Sequence, residues 1–143
     1  MAAPKTPLVS VDCVVVDGRE RVLLIRRGHE PFKGMLALPG GFVDIGEDTE
    51  SACRRELMEE TGVKAGRLTL VGVYSDPARD PRRHNVSIAY LTRVASAEAC
   101  AGDDAAAVAW VPLAARRAMA FDHGRILSDA RRLLRAGTKG RKP

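Results

Sequence analysis

The stretch Gly41-Phe-Val-Asp-Ile-Gly-Glu47-Asp-Thr-Glu-Ser-Ala-Cys-Arg-Arg55-Glu56-Leu-Met-Glu59-Glu60-Thr-Gly62-Val63 decides how the chain is read. It predicts a loop, one helix and a tight stop. Asp48 is placed to cap the helix, because its carboxylate can accept the free N–H of Ser51, and Glu50 then falls in the acid-favouring first turn. Gly62 closes the helix, since glycine takes the left-handed capping conformation without steric cost. Ala52, Cys53 and Leu57 recur at helical spacing and form a narrow apolar stripe that turns inward.

Glu56, Glu59 and Glu60 stand at i, i+3 and i+4, so their carboxylates gather on one side of this helix. Three like charges repel unless a cation sits among them, and carboxylate oxygens suit hard divalent ions such as Mg²⁺ or Mn²⁺. Gly40 and Gly41 are expected to let the backbone turn sharply, which would offer the Gly40 carbonyl as a further oxygen ligand. Arg55 can pair with Glu47 and hold the loop against the helix. The plainer reading of a glutamate-rich face is a solvated helix.

The spacing Gly41, five residues, Glu47, seven residues, Arg55-Glu56-Leu57-x-Glu59-Glu60-x-Gly62-Val63 resembles the Nudix box, the signature of the Nudix hydrolases, at every fixed position. The resemblance implies an α/β (α+β) Nudix fold, a mixed β-sheet sandwiched between helices. It further implies magnesium dependence and hydrolysis of a nucleoside diphosphate linked to another group. Gly41, Glu47, Arg55 and Gly62 are then structural members of the motif.

With 143 residues, 45% hydrophobic and 29% charged, the chain has the make-up of one soluble globular domain spanning 1–143, with flexible ends expected at 1–7 and 137–143. No apolar run is long enough for a membrane span, and residues 1–10 lack the apolar centre of a secretory signal, so no membrane partner is expected. Cys13, Cys53 and Cys100 are odd in number and far apart, which favours free thiols in a reducing cytoplasm. The net charge of +5 is concentrated near the C-terminus, in residues such as Arg131, Arg132, Arg135 and Lys139, and reads as a solvated end. Aromatic residues make up 4%, too few for a base-stacking platform, which argues against nucleic acid.

Along the chain, residues 8–16 and 21–27 read as two antiparallel strands joined at Asp17-Gly18. Residues 28–34 form a loop, and residues 35–38 a short strand leading into Pro39-Gly40-Gly41. Strands follow at 67–75 and 85–94, the second with Val86, Ile88, Tyr90 and Leu91 facing the core. Residues 98–106 form a loop of small residues, and 107–111 a strand ending at Pro112. Residues 113–119 and 125–135 are expected to be helical, the latter with Ile126, Leu127, Ala130, Leu133 and Leu134 inward. The connection 76–84 contains two Asp/Pro turns loaded with Arg79, Arg82, Arg83 and His84, and its prolines stiffen it.

Leu38 to Glu47, Ser75 to His84 and Phe121-Asp122-His123 together resemble a branch of bacterial and archaeal ADP-ribose pyrophosphatases. The implied partner is a small-molecule nucleoside diphosphate derivative, and the resemblance allows a homodimer. Arg79, Arg82 and Arg83 can supply planar charge-assisted donors to phosphate, and Asp80 can accept from ribose hydroxyls. An internally paired Arg/Asp turn is the competing reading. Arg27 is a further phosphate candidate, Phe42 could stack on adenine or ribose or pack in the core, and His84 and His123 could bind substrate or organise loops.

The expected chemistry is in-line attack of water on one phosphorus, with Mg²⁺ held by Glu56, Glu59, Glu60 and the Gly40 carbonyl. Glu56, Glu59, or Asp103 or Asp104 from the later loop would remove the proton, giving AMP and ribose 5-phosphate from ADP-ribose. Two rivals remain in view: a Nudix enzyme cleaving nucleoside triphosphates, and a non-catalytic ADP-ribose sensor. The eight residues after Arg135 leave no room for a winged helix, which counts against the sensor.

Overall fold

The computed structural model describes residues 2–95, 99, 102 and 105–140, the last three as backbone only. Its centre is strand β1 (Leu8–Val16), in which Val11, Cys13, Val14, Val15 and Val16 are all buried. A strand apolar at odd and even positions alike must be covered on both faces. β1 pairs in parallel with β6 (Asn85–Arg93), from Leu8↔Asn85 to Val16↔Arg93, and β5 (Leu68–Tyr74) adds antiparallel to β6.

On its other edge β1 changes partner. Strand β4 (Gly40–Phe42) lies against residues 10–12, whereas β2 (Arg21–Arg27) reaches β1 only through Val16↔Val22. β2 in turn carries β3 (Leu36–Ala37) and β7 (Ala105–Pro112). The sheet therefore forks, with β4 on one prong and β2, β3 and β7 on the other.

Helix α1 (Thr49–Thr61) packs Ala52, Cys53 and Leu57 on Val11, Cys13 and Val15. Helix α2 (His123–Gly140) packs Ile126, Leu127 and Ala130 on Val14, Val16, Ala89 and Leu91. The mixed sheet between helices is thus the architecture the resemblance implied. Burying one such Leu or Val side chain is worth about 1.5–3 kcal/mol, so both helices are held by these apolar faces.

Four expectations need correction. Residues 113–119 are not helical: Ala115 N–H bonds the Pro112 carbonyl, and the Arg117 guanidinium bonds the carbonyls of Pro112 and Ala115, which ends the chain's path in turns. Met119 then bridges to Leu36. Gly40 and Gly41 do not turn sharply; they are extended in β4, and neither has a positive φ. In β6, Ile88 and Tyr90 pack on the core under α1 as expected, but Val86 is only half-buried, and Asn85, Ser87 and Ala89 on the opposite face are buried too. Helix α2 runs from His123 to Gly140, beyond the expected 125–135, and Leu133, expected inward, is exposed on it. No described helix is long and apolar enough to cross a membrane.

Candidate active site

The strand pattern itself marks the site. On the α2 side of the sheet, β1 presents Ser10, Asp12, Val14 and Val16 in order, and β6 presents Asn85, Ser87, Ala89 and Leu91. The apolar half of each series lies under α2, and Ser10, Asp12 and Asn85 from the polar half line a cleft of about 290 Å³. The sheet's fork opens this cleft. Glu56, Glu60, Gly40, Gly41 and Phe42 stand on one side, and Arg27, His29, Arg82 and Phe121 also line it.

Asp12 is the anion at the floor. Its carboxylate accepts from Ser87 Oγ, from His123 Nε2 at 3.2 Å, and lies 3.5 Å from Arg79 Nη2. Burial pushes its carboxyl up, yet His123, Ser87 and Arg79 together bring it below the usual range. The Leu38 N–H donates to His123 Nδ1 at 3.0 Å, so the ring proton sits on Nε2 and points at Asp12. His123 is therefore a loop organiser, tying α2 to β1 and to the segment before Gly40.

On α1, Asp48 accepts from Ser51 N at 2.7 Å and Gly62, at φ 72°, donates to the Met58 carbonyl at 2.9 Å, so the helix that carries the glutamates is capped at both ends. Arg55 is the hub beside it. Its guanidinium bonds Glu47 at 2.8 and 3.0 Å, Glu56 at 2.9 Å, Glu59 at 3.2 Å and the Phe42 carbonyl at 3.0 Å. Desolvation in the cleft holds the Glu56 carboxyl above its ordinary value, with Glu59 and Asp44 adding to this and Arg55 opposing it. Glu60 Oε1 accepts from Gly40 N at 3.3 Å.

Both glycines are closely approached, Gly40 by backbone and Gly41 by a side chain. A Cβ on Gly40 would fall 2.1 Å from the Val11 carbonyl oxygen, and one on Gly41 would fall 2.4–2.6 Å from the Glu56 carboxylate. Gly102 plays a similar part that the sequence did not signal. Its N–H bonds the Glu60 carbonyl at 2.8 Å, and a Cβ there would meet the Glu59 carbonyl oxygen at 2.1 Å.

Glu56 and Glu60 thus offer hard oxygen donors beside β4, a chemistry that fits a divalent cation. Glu59 is not brought to the cleft; its side chain is 57% exposed and turned to Arg55. Among the described residues no three acidic, histidine or cysteine side chains converge on one point. Glu59 must leave Arg55 to become a third ligand.

Several expected substrate contacts are committed elsewhere. Arg79 forms a two-pronged pair with Asp122 at 2.8 and 2.7 Å, and its side chain is 4% exposed. Asp80 is buried and accepts from Arg82 at 3.0 and 2.8 Å, the paired Arg/Asp turn of the competing reading, and it also lines the cleft. His84 is exposed, bonds the Ser75 carbonyl at 3.2 Å, and does not line the cleft. Arg27 and Phe42 do line it. The Arg27 guanidinium stands 4.8 Å from the Phe121 ring centre, that of Arg82 5.8 Å from the same ring, and that of Arg83 5.8 Å from Phe42. Burial, with Arg82 adding, pulls the Arg27 guanidinium down from its ordinary value. Asp103 and Asp104 lie outside the described residues.

Reading by local pattern missed Ser10, Asp12 and Asn85, and took Phe121 only within the Phe121-Asp122-His123 motif without placing it at the cleft. For the first three the available signal was polarity at inward positions of otherwise apolar strands. Asn85 carries it most plainly: its amide nitrogen donates to Ser10 Oγ at 3.0 Å, and its buried Oδ1 accepts from no described residue.

The Arg55–Glu47 pair makes a pH prediction. Hydrogen bonds from Arg55, and then from the Asp44 N–H, bring the Glu47 carboxyl from 4.5 down to about 2. With the folded value below the unfolded one, the unfolded chain binds the extra proton, so this stabilisation is present above pH 4.5 and is lost as pH falls toward 2. Melting temperature should fall across that window in the wild type and fall less steeply in Glu47→Gln. Parallel curves for the two proteins would contradict the assignment.

Residues 6–130 match the NUDIX domain family. Over 123 residues the chain is 46% identical to the ADP-ribose pyrophosphatase of Methanocaldococcus jannaschii, covering 86% of this chain and 72% of that protein. It superposes on the NUDIX domain of Shewanella oneidensis NrtR complexed with ADP ribose with a TM-score of 0.85 at 30% identity, covering 91% of this chain and 90% of that one. A MutT/nudix family protein from Enterococcus faecalis gives a TM-score of 0.85 at 32% identity, covering 94% and 65%. On its glutamate-bearing capped helix, its forked mixed sheet and these matches, the chain belongs to the NUDIX domain family and is a Nudix hydrolase.

Proposed function

We propose that the chain hydrolyses ADP-ribose to AMP and ribose 5-phosphate with Mg²⁺ as its ion. The observation that carries this reading is one cleft in which Glu56 and Glu60 stand beside β4 while Arg27, Arg82 and two aromatic rings line the remainder. An acidic cluster and a cationic wall in one small cleft suit a diphosphate gripped from both sides. The similarity to the M. jannaschii ADP-ribose pyrophosphatase supports the choice of substrate.

Mg²⁺, held by Glu56, Glu60 and the Gly40 carbonyl with Glu59 as a third carboxylate, would supply charge neutralisation on the two phosphates. Arg27 and Arg82 orient phosphate oxygens, and Phe42, 39% exposed on β4, packs on a planar or sugar group. Glu56, already above its ordinary value, is the described residue we assign to accept the proton of the attacking water.

Side-by-side turnover of ADP-ribose, NADH, dinucleoside polyphosphates and oxidised dGTP tests the proposal, with the nucleoside monophosphate released from each as the product to be followed. Faster turnover of oxidised dGTP than of ADP-ribose would replace it with a triphosphate-cleaving role. The NrtR domain's complex with ADP ribose gives a second reading, a sensor, which would bind ADP-ribose without consuming it. Arg82→Ala and Phe42→Ala should each raise KM for ADP-ribose by about tenfold, as expected for loss of a charge-assisted hydrogen bond or an aromatic contact. Equal changes for every nucleotide would remove both residues from recognition.

A further inference from the structure

Loop 76–84 delivers two adjacent guanidiniums to two different rings, Arg82 to Phe121 and Arg83 to Phe42, and both rings line the cleft. Something must hold this loop in register over the site. Arg79 is the side chain that crosses from the loop into the protein, where Asp122 takes it with two bonds and Asp12 stands at 3.5 Å. Asp122 itself does not line the cleft, and it immediately precedes α2. It also immediately follows Phe121, whose φ of 52° is costly for a residue with a side chain unless its surroundings enforce it. One residue further on, His123 is fixed by Leu38 and Asp12, and on the other side of Phe121 the Ala120 N–H bonds the Leu36 carbonyl at 2.8 Å. Phe121 is thus held from both sides of the chain, and its ring meets Phe32 edge-on at 4.8 Å.

We infer that Arg79 and Asp122 are positioning residues: their buried pair locks loop 76–84 to the start of α2 so that Arg82 and Phe121 face the substrate together. Arg79 is then not a phosphate ligand, even though it lies in the arginine-rich loop and on the cleft wall. The pair acts on substrate binding through Arg82 and Phe121, and leaves the glutamates of α1 untouched. The inference rests on the proposed function only for the substrate used to read it.

Asp122→Asn tests this, because the two roles for Arg79 predict opposite signs. If Arg79 is a positioning residue, loss of the Asp122 charge loosens the loop and raises KM for ADP-ribose about tenfold with kcat changed less than about threefold. If Arg79 contacts phosphate, the same change frees it and lowers KM. Arg79→Met should match Asp122→Asn, and the double variant should be no worse than either single one, since both remove one interaction. Arg79→Lys, which keeps the charge but not the two-pronged geometry, should also raise KM and serves if the Met variant fails to fold. A lowered KM in Asp122→Asn, additive single effects, or an unmoved KM with only a reduced melting temperature would each overturn the inference. Failure of the wild type to hydrolyse ADP-ribose would instead strike the proposed function, and the same variants would then be read with the best nucleotide of the turnover panel.

Discussion

Glu56→Gln or Glu60→Gln should lower kcat by roughly 10²–10³-fold, the scale expected when a charge-stabilising group is removed from an active site. Gln keeps the shape of each side chain and removes the anion that attracts a divalent ion. The fold should stand, because Gln matches Glu in volume and the apolar contacts of α1 come from Ala52, Cys53 and Leu57. For Glu56 the melting temperature should stay level or rise at neutral pH. Its carboxyl is raised chiefly by desolvation, so the folded state disfavours the anion that Gln eliminates. A readout independent of turnover is available: Mg²⁺ should raise the melting temperature of the wild type and raise it less in either variant. Near wild-type kcat at saturating Mg²⁺, or an equal thermal shift in all three proteins, would take these carboxylates out of the site.

The second large effect separates two neighbouring glycines. Gly41→Ala places a methyl group 2.4–2.6 Å from the Glu56 carboxylate, which is the far end of a flexible side chain and can swing aside. Activity should fall about 100-fold, as for a catalytic group moved by about 1 Å, with little change in melting temperature. Gly40→Ala meets backbone instead, 2.1 Å from the Val11 carbonyl oxygen, so β4 has to separate from β1. That overpacking should cost about 1–3 kcal/mol or more of stability. Circular dichroism melts beside kcat measurements decide the matter. If Gly41→Ala melts early and Gly40→Ala does not, the assignment of the two contacts is reversed.

Much of the site was legible because its central element is local. Asp48, Gly62, the apolar stripe and the glutamates all belong to one helix, whose 3.6-residue period fixes their relative placement without knowledge of the rest. The Arg55–Glu47 pair was legible for the same reason, as the loop between them is short. Residues 113–119 show where local reading fails: an alanine- and arginine-rich run has helical propensity, but the Ala115 N–H and the Arg117 side chain take the carbonyls of Pro112 and Ala115 that a helix would use. Gly40 and Gly41 show a subtler failure. Glycines read as turn formers are here extended, and they are needed because two other elements approach them closely.

By itself, the sequence determined the glutamate helix and the motif spacing, each written along a continuous stretch; that spacing carried the resemblance to the family, and the resemblance implied the mixed sheet between helices. Only the tertiary structure decided which charges are available to a substrate. Arg79, Arg82 and Arg83 look alike in one dimension, yet Asp122, 43 residues away, takes the first, while Phe121 and Phe42 receive the other two. Asp12 and Asn85 became part of the cleft floor because parallel pairing of β1 with β6 brings their strands together across some 75 residues of chain. Charge pairing depends on distance in space, and chain order specifies that only after the sheet has chosen its partners.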